Sequence, residues 1–146
     1  MTINQISIFL ENRTGQLAQI CRTLADNDVS IVTLSLADTT DFGIVRMIVD
    51  DTAKAEQVLA AAGHTVKTTP VFAVAVPDRP GGMADVAGKL SAAGCDIEYT
   101  YAFAFHHGEK AVLVFRFTDN EKAAKALSDA GYGTLDAAQI MAGATK

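Results

Sequence analysis

Two hexapeptides carry the most chemically suggestive pattern in the chain: Asn12-Arg13-Thr14-Gly15-Gln16-Leu17 and Asp78-Arg79-Pro80-Gly81-Gly82-Met83. Each follows a strand-like apolar alternation and precedes a helix-like stripe. In the second, Pro80 suits the first turn of a helix, where its missing N–H is not needed. Asp78 or Arg79 is then expected near the cap. Gly81 and Gly82 lack a Cβ, so another molecule can approach the backbone amides closely. A helix N-terminus with unengaged N–H groups attracts a carboxylate or another anion. One such loop is common between a strand and a helix; a second copy at fixed spacing gives it weight. The plainer roles stay open: Asn12 and Asp78 as helix caps only, Arg13 and Arg79 as exposed loop arginines.

Other reactive side chains suggest less. His106 and His107 are adjacent on a strand and therefore point to opposite faces. No cysteine or acid stands at ligand spacing from them, so they are read as exposed hairpin residues and no metal is assigned. Cys21 lies on an apolar helical stripe and is expected in the core. Cys21 and Cys95 are far apart, which fits buried thiols in a reducing cytoplasm. No nucleophile elbow, HExxH, P-loop or paired-carboxylate signature is present, so no catalytic residue and no cofactor are assigned and the chain is read as a non-enzyme. Net charge is −5 with no basic block, which disfavours nucleic acid and anionic membrane as partners. No apolar run reaches membrane-spanning length, and no signal peptide is visible.

The elements that must position the loops emerge from a repeat. With 146 residues, 49% of them hydrophobic, the chain can build one ordinary domain or two small ones. An offset of 66 residues carries Asn12 onto Asp78, and Ile6, Ile8 and Leu10 onto Phe72, Val74 and Val76. It also carries Leu17, Ile20, Cys21 and Leu24 onto Met83, Val86, Ala87 and Leu90, an i, i+3, i+4, i+7 stripe present twice. Past Ile31 and Ile97 the offset becomes 68, and Val45, Met47 and Val49 fall on Leu113, Phe115 and Phe117. A period this long suits a duplicated small domain, 1–69 and 70–146.

Copy one reads as strand Gln5–Glu11, helix Gly15–Asn27, strand Ser30–Ala37, a polar turn Asp38-Thr39-Thr40-Asp41, strand Gly43–Val49, helix Ala53–Ala62 and a short strand Thr65–Thr68. Copy two reads as strand Val71–Val76, helix Pro80–Ala93, strand Asp96–His106, turn His107-Gly108-Glu109, strand Lys110–Phe117, helix Asn120–Ala130 and a short strand near Thr134. Leu135 to Met141 is expected to form a last helical turn. The fold class is α+β: two ferredoxin-like βαββαβ repeats, with antiparallel sheets covered by helices on one face. Pro70 marks the junction without a flexible linker, so the copies are expected to act as one cooperative body.

Tyr99, Tyr101, Phe103 and Phe105 share one strand face by alternation, on the side expected to be uncovered. A stripe this wide should meet another sheet or subunit, so a homodimer is expected. It could also wall a ligand pocket. Arg46 and Arg116 are expected on that open face, in interface salt bridges.

The two βαββαβ copies, each with a D/N-R-x-G loop opening its first helix, resemble a tandem ACT-domain protein of the stand-alone bacterial kind, over about residues 3 to 135. The resemblance implies a regulatory module that binds a free amino acid or similar small carboxylate at a domain–domain interface, where the ligand side chain meets apolar groups of a neighbouring domain. It implies that Gly15, Gln16 and Leu17, or Gly81, Gly82 and Met83, take the carboxylate with Asn12, Arg13 and Thr14, or Asp78, Arg79 and Pro80, around them. Ser30 and Ile31, or Asp96 and Ile97, would take the α-amine, Asp96 through its charge. Copy one departs from the motif at Asn12 and Thr14, where the family often has Asp and Pro, so copy two is the favoured site. Ser30 and Asp96 stand where the family often has Asn. A ligand-free interaction scaffold of the same fold is the main alternative. An RNA-binding module is a second one, matched by the aromatic strand and opposed by the acidic charge.

Overall fold

The computed structural model describes every residue except Asn12, Thr39, Thr40 and Lys146, and describes Asp38 by its backbone alone. The elements run β1 (Ile3–Glu11), α1 (Gln16–Asp26), β2 (Ile31–Asp38), β3 (Phe42–Val49), α2 (Thr52–Ala61), β4 (Thr65–Pro77), α3 (Gly82–Ala92), β5 (Ile97–His107), β6 (Lys110–Phe117), α4 (Asn120–Asp129), β7 (Thr134–Leu135) and α5 (Ala137–Ala144). Two compact units result. One is Asn4–Thr69; the other joins Met1–Ile3 to Pro70–Lys146. The strand β4 runs straight through Pro70, where the sequence reading ends one strand and begins another. Proline lacks only the N–H donor, so a strand tolerates it where that donor is not required.

In the first unit β3 pairs antiparallel with both β1 and β2, Ile6 facing Met47, Ile8 facing Val45 and Leu36 facing Val45. Cross-strand partners share a face, and the apolar face receives α1 and α2. Ile6, Ile8, Ile20, Leu24, Val45, Met47 and Leu59 form a buried cluster there, with Leu17 and Cys21 partly buried at its margin. The second unit repeats the plan. β6 pairs antiparallel with β4 and β5, Phe72 facing Phe115 and Val74 facing Leu113. Phe72, Val74, Val86, Leu90, Phe115, Phe117 and Leu127 make the matching cluster under α3 and α4. Phe72 and Phe115 each meet Phe117 at 5.7 Å between ring centroids, within the range of favourable aromatic pairs. The ferredoxin-like α+β fold is therefore built twice.

Equivalent devices end the helices. Asp51 and Asp119 cap α2 and α4 by accepting from the backbone N–H of Lys54 and Lys122, each at 3.1 Å. Asp28 follows α1 with φ 58°, where Gly94 follows α3 with φ 73°. Aspartate is among the few side chains that enter this left-handed region readily.

The second unit departs from expectation on its other sheet face. The chain end forms a full helix, α5, rather than one turn. Asp136 caps it through the Gln139 N–H at 2.8 Å, while Gln139 Oε1 accepts from the Asp136 N–H at 2.9 Å. This reciprocal box is legible as D-x-x-Q. α5 packs on β5, and the approach is so close that a Cβ at Gly143 would collide with the Phe105 ring. Phe103 is buried, and Val112, Val114 and Ile140 are fully buried. The aromatic stripe is thus partly covered within the unit, with Tyr99, Tyr101 and Phe105 left half-buried. Arg116 of that face pairs within its own unit, with Glu98 at 3.2 Å.

Two glycines of α3 should respond oppositely to alanine. A Cβ at Gly82 would collide with the Pro77 carbonyl oxygen, a backbone atom that cannot yield, whereas one at Gly88 meets nothing within 4 Å. Gly82→Ala is expected to lower stability by about 1–3 kcal/mol. Gly88→Ala is expected to raise it by about 0.5–1 kcal/mol. Urea denaturation of the two variants checks both signs.

Candidate functional site

The loop between β1 and α1 turns a strand into a helix in four residues. Gly15 is the helix N-cap at φ 91°, ψ −7°, the angles of the third residue of a type II turn. Gln16 N–H closes that turn on the Arg13 carbonyl at 3.4 Å. The loop between β4 and α3 does the same: Gly81 caps at φ 87°, ψ −11°, and Gly82 N–H donates to the Arg79 carbonyl at 2.9 Å. Pro80 therefore occupies the second position of the turn and not the first turn of the helix. A left-handed glycine cannot belong to the helix, so α3 starts two residues later than the proline suggests. The Gln16 and Gly82 amides are engaged in the turns. The first-turn donors left without an intrahelical acceptor are those of Leu17 and Ala18, and of Met83 and Ala84.

The two arginines differ in what they face. Arg79 Nη2 lies 3.0 Å from Asp85 Oδ2 and Nη1 donates to the Pro80 carbonyl at 3.1 Å. Asp78 Oδ2 lies 2.7 Å from His106 Nε2. The copy-two loop thus has its charged side chains matched internally. In copy one, Arg13 Nε lies 3.4 Å from Glu11 Oε2, both side chains being 67% exposed. With the Gln16 amide turned so that its oxygen faces the guanidinium, Arg13 Nε and Nη2 both reach it at 2.9 Å. Each arginine thus has an exposed carboxylate beside it, Glu11 at 3.4 Å in copy one and Asp85 at 3.0 Å in copy two.

Copy one also has a groove. It is about 390 Å³ and is lined by the end of β1, the start of α1 and the turn from α2 into β4. Arg13, Gln16, Gln19 and Glu11 supply polar groups, Phe9, Leu10 and Phe42 an apolar wall, and His64 a ring. Phe9, Phe42 and His64 were not among the residues singled out from sequence. Phe9 is 46% and Phe42 63% exposed, and an exposed aromatic pair is the signal that could have found them.

The other predicted residues are placed as follows. Asn12 lies outside the described residues. Thr14 and Pro80 are exposed in the turns, and Met83 is 39% exposed on α3. Ile31 and Ile97 pack against the two cores, leaving only their backbones for a ligand. Ser30 N–H donates to Asp50 Oδ1 at 2.9 Å, and the exposed Asp96 accepts from Thr118 N–H through its backbone carbonyl at 3.2 Å. Within one copy these two groups do not converge. Gly15 and Ser30 flank opposite ends of α1, whose 11 residues span about 16 Å, far beyond the reach of one amino acid's carboxylate and amine. Among the described residues no cluster of His, Cys, Asp and Glu could hold a metal, and no helix is long and apolar enough to cross a membrane.

The turn geometry is testable without a ligand. Gly15 has φ 91° and nothing within 4 Å of a built Cβ, so substitution there meets a purely conformational penalty. Gly15→Ala is expected to cost about 1–2 kcal/mol, and Gly15→Asn less, because asparagine enters the left-handed region more readily. Chemical denaturation of the pair checks the order.

Known proteins give this geometry a context. A family model described as an ACT domain pair matches residues 1–132. A crystal structure of a protein from Bacteroides thetaiotaomicron is 36% identical, covers 96% of each chain and superposes with a TM-score of 0.88. Regulatory subunits of aspartate kinase share the fold: that of Thermus thermophilus at 16% identity, TM-score 0.61, over 87% of this chain and 91% of its own, and that of Thermus flavus at 17%, TM-score 0.56, over 88% and 92%. A comparison with curated proteins gave no match. Duplicated βαββαβ units, each with a left-handed glycine opening its first helix, agree with the family match, and the chain belongs to the ACT domain pair family.

Proposed function

We propose that this protein is an amino-acid-binding regulatory module, and that the ligand sits in the copy-one groove at the start of α1. The carrying observation is the Glu11–Arg13 pair on the groove wall, with its oxygen and nitrogen 3.4 Å apart. An α-amino acid presents a carboxylate and an ammonium on one carbon, and an arginine beside a glutamate is their complement. Arg13 can accept the carboxylate in bidentate fashion. Gln16 and Gln19 bring the start of α1 to the groove, so the positive end of the helix adds to it. Glu11 faces the ammonium. An exposed ion pair is worth about 0–1 kcal/mol, so a ligand can part it at small cost and gain two charge-assisted contacts.

In this reading the protein performs no chemistry. Its output is a shift in the populations of its conformations, set by the difference in ligand affinity between them. The free thiols Cys21 and Cys95 suit a cytoplasmic setting. Copy two, favoured by its closer match to the family loop, is the weaker candidate here, because the repeat places Pro77 where copy one has Glu11, so the acid that faces the ammonium is missing at that strand position.

A thermal-shift screen of the twenty amino acids tests the reading. A ligand present at a hundredfold excess over its Kd is expected to stabilise the fold by about 2.7 kcal/mol and raise Tm by several degrees. Arg13→Ala should abolish that shift and Arg79→Ala should leave it. Absence of any shift in the unmutated protein would leave the ligand-free scaffold.

A further inference from the structure

The two copies share their cores but not their grooves. At positions brought into register by the repeat, Phe9 of copy one corresponds to Ala75 of copy two, Glu11 to Pro77, Phe42 to Lys110 and His64 to Tyr132. The strand pairing makes the comparison structural, since Glu11 faces Phe42 across β1 and β3 just as Pro77 faces Lys110 across β4 and β6. Packing of the core is met in both copies, so it does not account for an aromatic pair and an imidazole in one alone.

Phe9 and Phe42 are diagonal neighbours on the same sheet face, Phe9 standing opposite Ile44, and aromatic side chains reach across that diagonal. Both are exposed and line the groove, where they supply apolar surface. His64 also lines the groove, yet its Nε2 is buried and has no hydrogen-bond partner among the described residues. A buried nitrogen without a partner is unfavourable. A half turn about χ2 exchanges the places of Nε2 and Cε1, so the ring can offer a polar atom to whatever fills the groove.

On this basis, and resting on the function proposed above, we infer that the copy-one groove selects an aromatic amino acid whose ring carries a hydrogen-bonding group. The carboxylate and ammonium lie on Arg13 and Glu11, the ring stacks on Phe9 and Phe42, and the polar group of the ring meets His64. A groove of about 390 Å³ falls in the range of small-molecule sites. Copy two offers Ala75 and Lys110 in place of the aromatic wall, so it does not share the preference.

Titration calorimetry of the full-length chain with L-tyrosine and L-phenylalanine tests this. Tyrosine is expected to bind about tenfold more tightly than phenylalanine, the difference one satisfied buried polar group makes. His64→Leu should remove that advantage and leave phenylalanine binding unchanged. Phe42→Ser alters an exposed ring, so the fold is retained, and it should weaken both ligands by tenfold or more. Circular dichroism checks that each variant is folded, and Phe42→Ser decides the matter if His64→Leu is not. Equal affinity for the two ligands, or tyrosine binding that ignores both substitutions, overturns the inference. If a non-aromatic amino acid binds best, is lost with Arg13→Ala and is indifferent to Phe42→Ser, the amino-acid-binding function stands and the aromatic preference falls. If no amino acid binds, both fall together.

Discussion

A strand that must become a helix within four residues has few backbone solutions, and the one used here needs a left-handed residue just before the first helical turn. Gly15 and Gly81 supply it, with φ 91° and 87°. That turn fixes where α1 and α3 begin and hence which residues point inward. Ile20 and Leu24, or Val86 and Leu90, fall into the core because the helical phase is counted from the turn. The turn also closes on the amide of the first helical residue, which moves the remaining open donors one step along the chain. In copy two the constraint is tighter, since Gly82 lies directly under the Pro77 carbonyl and no side chain fits between. Both copies keep this geometry while nearly every polar residue around it differs.

Those differences are electrostatic, and they separate two loops of nearly identical backbone. Arg79 meets the carboxylate of Asp85, and Asp78 meets the ring of His106, so the charge of the loop is neutralised by neighbours in its own unit. Arg13 meets the amide of Gln16, and its acid partner Glu11 is exposed. The repeat places Gln19 where copy two has Asp85. Each loop therefore pairs its arginine with a different exposed acid, from the end of β1 in copy one and from α3 in copy two. Duplication of a small domain permits this, because the scaffold is kept in both copies while the side chains around each loop diverge.

The second unit uses its sheet differently. Its two antiparallel faces are both apolar. α3 and α4 cover one, and α5 covers part of the other through Ile140 and the bare backbone of Gly143 against Phe105. A helix can approach an aromatic ring this closely only where it has no side chain. The stripe from Tyr99 to Phe105 is therefore in part an internal packing surface, which is why an aromatic strand occurs in an acidic chain with no basic surface to accompany it.

The sequence alone determined the architecture, because the architecture rests on periodicities that a chain cannot hide. Alternation at period two and a stripe at period 3.6, repeated at fixed offsets, leave βαββαβ twice as the economical solution. The paired apolar positions Ile6 and Phe72, Ile8 and Val74, Ile20 and Val86 indeed form the two cores. The loops carrying Arg13 and Arg79 were legible because glycine at such a turn has a backbone reason. Only the tertiary structure decided what those loops can do. The length of α1 keeps Ser30 away from Gly15, a fact invisible to a motif that names both. The partners of Arg79 and Asp78 come from α3 and from the far end of β5, and the groove draws on Phe9 and Phe42 from two strands and on His64 from a turn. Periodicity is local and survives in one dimension, whereas a binding surface is a set of side chains that only folding brings to one place.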